Sequence, residues 1–109
     1  MSPMSSLACI PCQGTTPPFS AKEATRRLHD SPGWVLKKGA TRLTRSFRFP
    51  DFKQSLAFVN RVGALAEAQG HHPEVRFGWG FCEVEIYTHK IDGLHQNDFI
   101  LAAKINALG

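Results

Sequence analysis

Cysteine is scarce. Cys9, Cys12 and Cys82 are the only three in 109 residues, too few and of the wrong parity for a disulfide framework. Cys9 and Cys12 form a C-x-x-C pair, but a structural zinc site calls for four ligands and there is no second pair. The two are expected to be reduced thiols, with no metal. Long apolar runs are missing as well. None approaches the roughly 18 residues of a membrane span, so no membrane partner is expected. Met1–Ile10 has neither the basic region nor the apolar stretch of a secretory signal, and the expected location is the cytoplasm. A nucleophile elbow, a glycine-rich phosphate loop and paired catalytic carboxylates are all absent. Those chemistries therefore have no visible carrier.

What is present is ordinary globular composition, 42% apolar and 20% charged, in a chain long enough for one domain with one modest core. The net charge of +4 is unevenly spread. Residues 1–54 hold nine Lys/Arg against three Asp/Glu, and residues 55–109 hold four against six. Lys37, Lys38, Arg42, Arg45 and Arg48 fall on one hairpin. Such a patch can attract nucleic acid or anions, but it reads first as a solvated sheet face, and no nucleic-acid partner is expected.

Residues 1–18, with Pro3, Pro11, Gly14, Pro17 and Pro18, read as a flexible arm before a single domain over 19–109. Ser20 with Glu23 is a capping box, so a short helix should run to about His29, where Ser31-Pro32-Gly33 stops it. Trp34–Lys37 and Thr41–Phe49 read as strands joined through Lys38-Gly39-Ala40. Leu43, Phe47 and Phe49 share one side of the second, and Arg45 interrupts that side with no visible partner. Asp51 and Gln54 cap the strongest helix, roughly 52–69, on which Phe52, Leu56, Val59, Val62 and Leu65 recur at helical spacing; Gly70 ends it. Val75, Phe77 and Trp79 alternate along a third strand. Cys82, Val84 and Ile86 alternate along a fourth, expected to end near His89. A last helix should open at His95, with Leu94 and Phe99 as a staple and Asp98 bonding back to the helix start. The expected fold is α+β: a two-layer domain of order α-β-β-α-β-β-α, its four-stranded antiparallel sheet covered by helices on one face.

The chemistry-bearing stretch is Glu67-Ala68-Gln69-Gly70-His71-His72-Pro73, with His89 and Asp98 downstream. His71 and His72 fall just past a helix C-terminus, whose partial negative charge favours protonated imidazole. Glu67, one turn back, acts in the same sense if it reaches His71, and Pro73 stiffens the turn. Imidazole titrates near neutral pH, so such a site can both give and take a proton. Metal ligation and plain polar turns are the competing readings, and adjacent histidines rarely face one ion. His29 and His95 fit the plain reading, and by composition Phe77 and Trp79 read as core. Spacing alone stops at a histidine acid–base site of unknown substrate.

The pattern Glu67-x3-His71-His72-Pro73-x5-Trp79-x9-His89-x8-Asp98 resembles the signature of the pterin-4a-carbinolamine dehydratases at every fixed position. Asp51-Phe52, Phe58-Val59-Asn60-Arg61-Val62 and Thr88-His89-Lys90-Ile91-x-Gly93-Leu94-x-x-Asn97-Asp98-Phe99 are similar to bacterial members, and the resemblance spans about residues 19–106. It implies dehydration of 4a-hydroxytetrahydrobiopterin to quinonoid dihydropterin and water, recycling the pterin of aromatic amino acid hydroxylases. A small-molecule pterin substrate, a functional link to phenylalanine hydroxylase, no cofactor and a homodimer or homotetramer follow from the same resemblance. Carried over by residue, His71 and His89 would exchange protons and His72 would chiefly bind. Gly70, Thr88, Tyr87 and Trp79 would contact substrate, while Glu67, Pro73 and Asp98 would support. Gly70 replaces an acidic residue of animal members, and Tyr87 replaces a small one. Animal members also serve as dimerisation cofactors of a homeodomain factor, and other relatives assist enzyme assembly. A non-catalytic binding module is therefore the alternative function.

Overall fold

The helix α2, Phe52–Gln69, is the element on which the site is built. The Asp51 carboxylate accepts from the Gln54 amide at 2.8 Å, the cap that the spacing predicts. At the far end Gly70 takes φ +65°. Its amide donates to the Glu67 carbonyl and the His71 amide to the Ala66 carbonyl, both at 3.3 Å. Those two bonds make a complete Schellman motif, which fixes how His71 leaves the helix. The computed structural model describes residues 17–108; Cys9, Cys12 and almost all of the expected arm lie outside the described residues.

The buried stripe of α2 differs from the one that apolar spacing predicts. Ser55, Phe58, Val62 and Ala66 are buried, whereas Phe52 is 47% and Leu56 39% exposed. Ser55 is the reason the pattern misleads. Its hydroxyl donates to the Asp51 carbonyl at 3.1 Å, so this polar side chain enters the core with its hydrogen bond made.

Four strands form one sheet in the order β1-β2-β4-β3: β1 Val35–Lys37, β2 Arg42–Arg48, β3 Glu74–Gly78 and β4 Phe81–Ile86. Every neighbouring pair is antiparallel, giving the expected α+β class. The β1–β2 turn runs through Lys38, Gly39 and Ala40, all at positive φ (51°, 63° and 64°). Cys82, Val84 and Ile86 are fully buried beneath the helices, as their alternation requires.

Two strand ends move. β4 stops at Ile86, and His89 sits instead in a 3₁₀ turn, His89–Ile91. Past Tyr87 the chain pairs with itself: the Thr88 amide donates to the Gly93 carbonyl at 2.9 Å, across a loop that Asp92 (φ 47°) helps to close. Similarly, Trp79 is not in β3 but in the turn Trp79-Gly80, because Gly78 already pairs with Phe81.

The other helices are α1, Ala21–Arg27, continued by a 3₁₀ turn Leu28–Asp30, and α3, Gln96–Leu108. Ser20 caps α1 by accepting from the Glu23 amide at 3.1 Å. The reciprocal half of that capping box is not made. Glu23 instead accepts from Arg26 and Arg27, and those guanidinium groups hold its carboxyl down at about 2. On α3 every residue from Asn97 to Ala103 is buried, and the helix packs against both β4 and α2, which itself lies on β3 and β4.

Arg45, the charge on the apolar side of β2, reaches the Asn106 Oδ1 of α3 at 2.5 Å. The same oxygen accepts from the buried Trp34 indole at 2.8 Å, and the Asn106 Nδ2 donates to the Pro32 carbonyl at 3.0 Å. One carboxamide thus ties α3 to β2 and to the segment before β1. Replacing Asn106 by Leu strands the buried indole N–H and leaves Arg45 only its longer bond to the Pro32 carbonyl, which should cost roughly 1–3 kcal/mol. A lower urea midpoint with an unchanged m slope is the expected outcome.

Candidate active site

Asp98, at the third position of α3, is fully buried and uses both carboxylate oxygens. Its Oδ1 meets His71 Nε2 at 2.7 Å. Its Oδ2 accepts from the Thr88 hydroxyl at 2.7 Å and from the His95 amide at 2.8 Å. The last bond is the helix-capping contact read from the sequence. The first two join the segments that follow α2 and β4, so three stretches distant in the chain meet on one carboxylate. A buried carboxylate needs such partners, because an unpaired one costs several kcal/mol.

The His71 side chain is 11% exposed. Its neighbour His72 is exposed and bonds through Nε2 to Glu67 Oε2. The carboxylate one turn back in the helix therefore reaches His72 rather than His71, opposite to the pairing that the sequence suggests. The Schellman turn explains the exchange: Gly70 swings His71 inward to Asp98 and leaves His72 over the last turn of α2. Pro73, half buried, carries the chain straight into β3.

His89 is held in another way. Its ring stacks on Tyr87 with centroids 4.3 Å apart and planes 7° from parallel. Among the described residues neither ring nitrogen of His89 makes a hydrogen bond. Thr88 lies between the two aromatic residues and points the opposite way, to Asp98. Alternation along this extended stretch thus places Thr88 in the interior and Tyr87 and His89 on the other side.

His71, Thr88 and Asp98 are in direct contact; His72 with Glu67 and His89 with Tyr87 adjoin them. Gly70 contributes its backbone turn. Trp79 does not join the group. It is 72% exposed in the β3–β4 turn, beyond the far end of a five-residue strand, about 16 Å along the chain from Glu74. Sequence reading overlooked Arg42, whose guanidinium carbon lies 3.5 Å from the Tyr87 ring centroid. The signal was hidden in the β2–β4 register: Leu43 opposite Ile86 sets Arg42 opposite Tyr87. With α2 between those strands in the chain, no local pattern announces that pairing. For metal ions, no group of three or more His, Cys, Asp or Glu side chains is suitably arranged among the described residues.

Residues 17–108 match the family model for pterin 4 alpha carbinolamine dehydratase. A protein of Methylococcus capsulatus named for that activity is 55% identical over 100 residues, covering 92% of this chain and 88% of its own. One from Rubrobacter xylanophilus is 48% identical over 108 residues, covering 99% and 100%. Among solved structures, a transcriptional coactivator/pterin dehydratase from Brucella melitensis superposes with a TM-score of 0.77 at 31% identity, over 84% of this chain and 97% of its own. A pterin dehydratase-like RuBisCO assembly factor of the α-carboxysome has a TM-score of 0.60 at 25% identity, over 70% and 88%.

The Asp98 junction can be tested through stability alone. Asp98→Ala removes the helix cap and leaves Thr88 and His71 unpartnered, for an expected loss of about 2–4 kcal/mol. Thermal unfolding should fall accordingly. A loss below about 0.5 kcal/mol, within the range of neutral surface changes, would show that the three bonds carry no net stability.

Proposed function

The chain belongs to the pterin 4 alpha carbinolamine dehydratase family, and on that premise we propose that it dehydrates 4a-hydroxytetrahydrobiopterin by histidine acid–base catalysis. The observation that carries the proposal is the buried Asp98, which bonds His71 through one oxygen and Thr88, the residue before His89, through the other. In the reaction the C4a–O bond breaks and the hydroxyl leaves as water, taking a proton from a general acid. N5 gives its proton to a general base, and its electron pair forms the N5=C4a bond of the quinonoid product. One proton is given and one is taken, so the protein is restored without an oxidant or reductant.

The roles follow from how each ring is held. His71 commits Nε2 to Asp98, which fixes the ring and leaves Nδ1 to exchange a proton. His89 is held by its face, and neither ring nitrogen is committed to a hydrogen bond among the described residues. His72, turned outward beside Glu67, binds the substrate. Gly70 and Thr88 would shape the substrate site, the one through its backbone turn and the other from the buried side. The reaction would regenerate the pterin of an aromatic amino acid hydroxylase such as phenylalanine hydroxylase, in the cytoplasm. No helix among the described residues is long and apolar enough to cross a membrane.

A binding module is the second reading, favoured by the likeness to an assembly factor. A module of that kind has no use for three positioned imidazoles. The assay is turnover of 4a-hydroxytetrahydrobiopterin by the purified protein. His71→Ala and His89→Ala should each lower kcat by about 10²–10⁴-fold, and His72→Ala should chiefly raise KM. The His71/His89 double variant should lose less than the product of the single losses. Chelators should leave the rate unchanged. Wild-type kcat in all three variants would overturn the mechanism.

Self-association belongs to the same proposal. β1 and β3 are open sheet edges, and Phe52, Leu56, Val75 and Trp79 leave apolar surface exposed near β3. Light scattering should give a dimer or tetramer at micromolar concentration, and a mass near the 12.1 kDa of one chain would refute it.

A further inference from the structure

Arg42 is a charged residue with 9% exposure at the start of β2, and the histidine mechanism gives it no task. Its guanidinium carbon lies 3.5 Å from the centroid of the Tyr87 ring. On the same ring, 4.3 Å from its centroid, His89 stacks within 7° of parallel. The outer end of this column is anchored twice. Arg42 Nη2 donates to Asp92 Oδ1 at 2.8 Å, and Nη1 donates to the Thr41 carbonyl at 2.9 Å. Asp92 closes the 3₁₀ turn on which His89 stands. The column therefore leaves the turn at His89, passes through Tyr87 to β2, and returns to the same turn through Asp92.

We propose that Arg42 and Tyr87 are positioning residues for His89, and that Tyr87 acts by holding the imidazole rather than by contacting the pterin. This rests on the reading of His89 as a proton-transfer group. An imidazole on an exposed turn has two free side-chain torsions, and a proton donor displaced by about 1 Å can cost roughly 10²-fold in rate. A hydrogen bond would fix the ring, as it does for His71, but would consume a nitrogen. Stacking fixes the plane and consumes none. The guanidinium makes the phenol ring a firmer platform, because it is planar, permanently charged and itself pinned by Asp92. Lysine at position 42 would keep the charge but not the flat contact.

Three variants and two readouts test the column. Tyr87→Leu removes the flat face and should lower kcat by about 10–100-fold with KM little changed, while Tyr87→Phe should bring kcat back to within about threefold. Arg42→Lys should fall between them. Independently of turnover, the His89 ring protons should show an upfield ring-current shift by NMR in the wild type and in Tyr87→Phe, and lose it in Tyr87→Leu. A Tyr87→Leu variant with raised KM and wild-type kcat would make Tyr87 a substrate contact and overturn the proposal. So would unmoved His89 protons, or a Tyr87→Phe variant as slow as Tyr87→Leu. An inactive wild-type protein would instead defeat the dehydratase reading, and the column's catalytic purpose with it, whatever the NMR shows.

Discussion

A single buried carboxylate sets most of what is distinctive here. Asp98 cannot be removed from water cheaply, and three donors from three parts of the chain satisfy it: the His71 ring, the Thr88 hydroxyl and the His95 amide. Each bond belongs to a different level of the structure. The amide bond starts α3, the hydroxyl bond fixes the chain after β4, and the ring bond turns a histidine inward from the end of α2. Local capping, tertiary docking and site geometry are therefore satisfied together or lost together. Groups coupled in this way respond non-additively to substitution.

The three histidines are immobilised by three different means, and the means match the proposed roles. His71 is locked through one nitrogen to a buried acceptor, His72 pairs with an exposed Glu67, and His89 rests on an aromatic face. A hydrogen bond between two exposed side chains is weak and easily exchanged for another partner, which suits the binding role proposed for His72. A buried pair suits a ring that must not move.

Local signals made the elements legible in the sequence. The caps at Ser20, Asp51 and Asp98 and the αL residue Gly70 are all where the residue chemistry puts them, because each depends on neighbours within a few positions. The pattern failed where the partner was remote. Ser55 lies in the core because the Asp51 carbonyl accepts its hydroxyl hydrogen bond, and Arg45 is tolerated because Asn106, 61 residues on, shares its oxygen with Trp34. Glu67 reaches His72 and not His71 because the helix-ending turn rotates the pair, a detail of direction that spacing does not encode. The Arg42–Tyr87 contact depends on which strands become neighbours across α2. Trp79 belongs to the family signature, yet within this chain it stands at the opposite end of the β3–β4 hairpin from the histidines.

Gly93 pairs with Thr88 and so closes the loop that carries His89. A methyl group added to it would lie 2.7 Å from the Pro18 side chain, and the Phe19 amide donates to the Leu94 carbonyl at 2.7 Å. Pro18 and Phe19 thus form the back wall of this loop. For anyone shortening the protein or circularly permuting it, the junction matters more than its place near the terminus suggests. A cut that removes Pro18 and Phe19 opens the rear of the loop, whereas one ending before them leaves its packing in place.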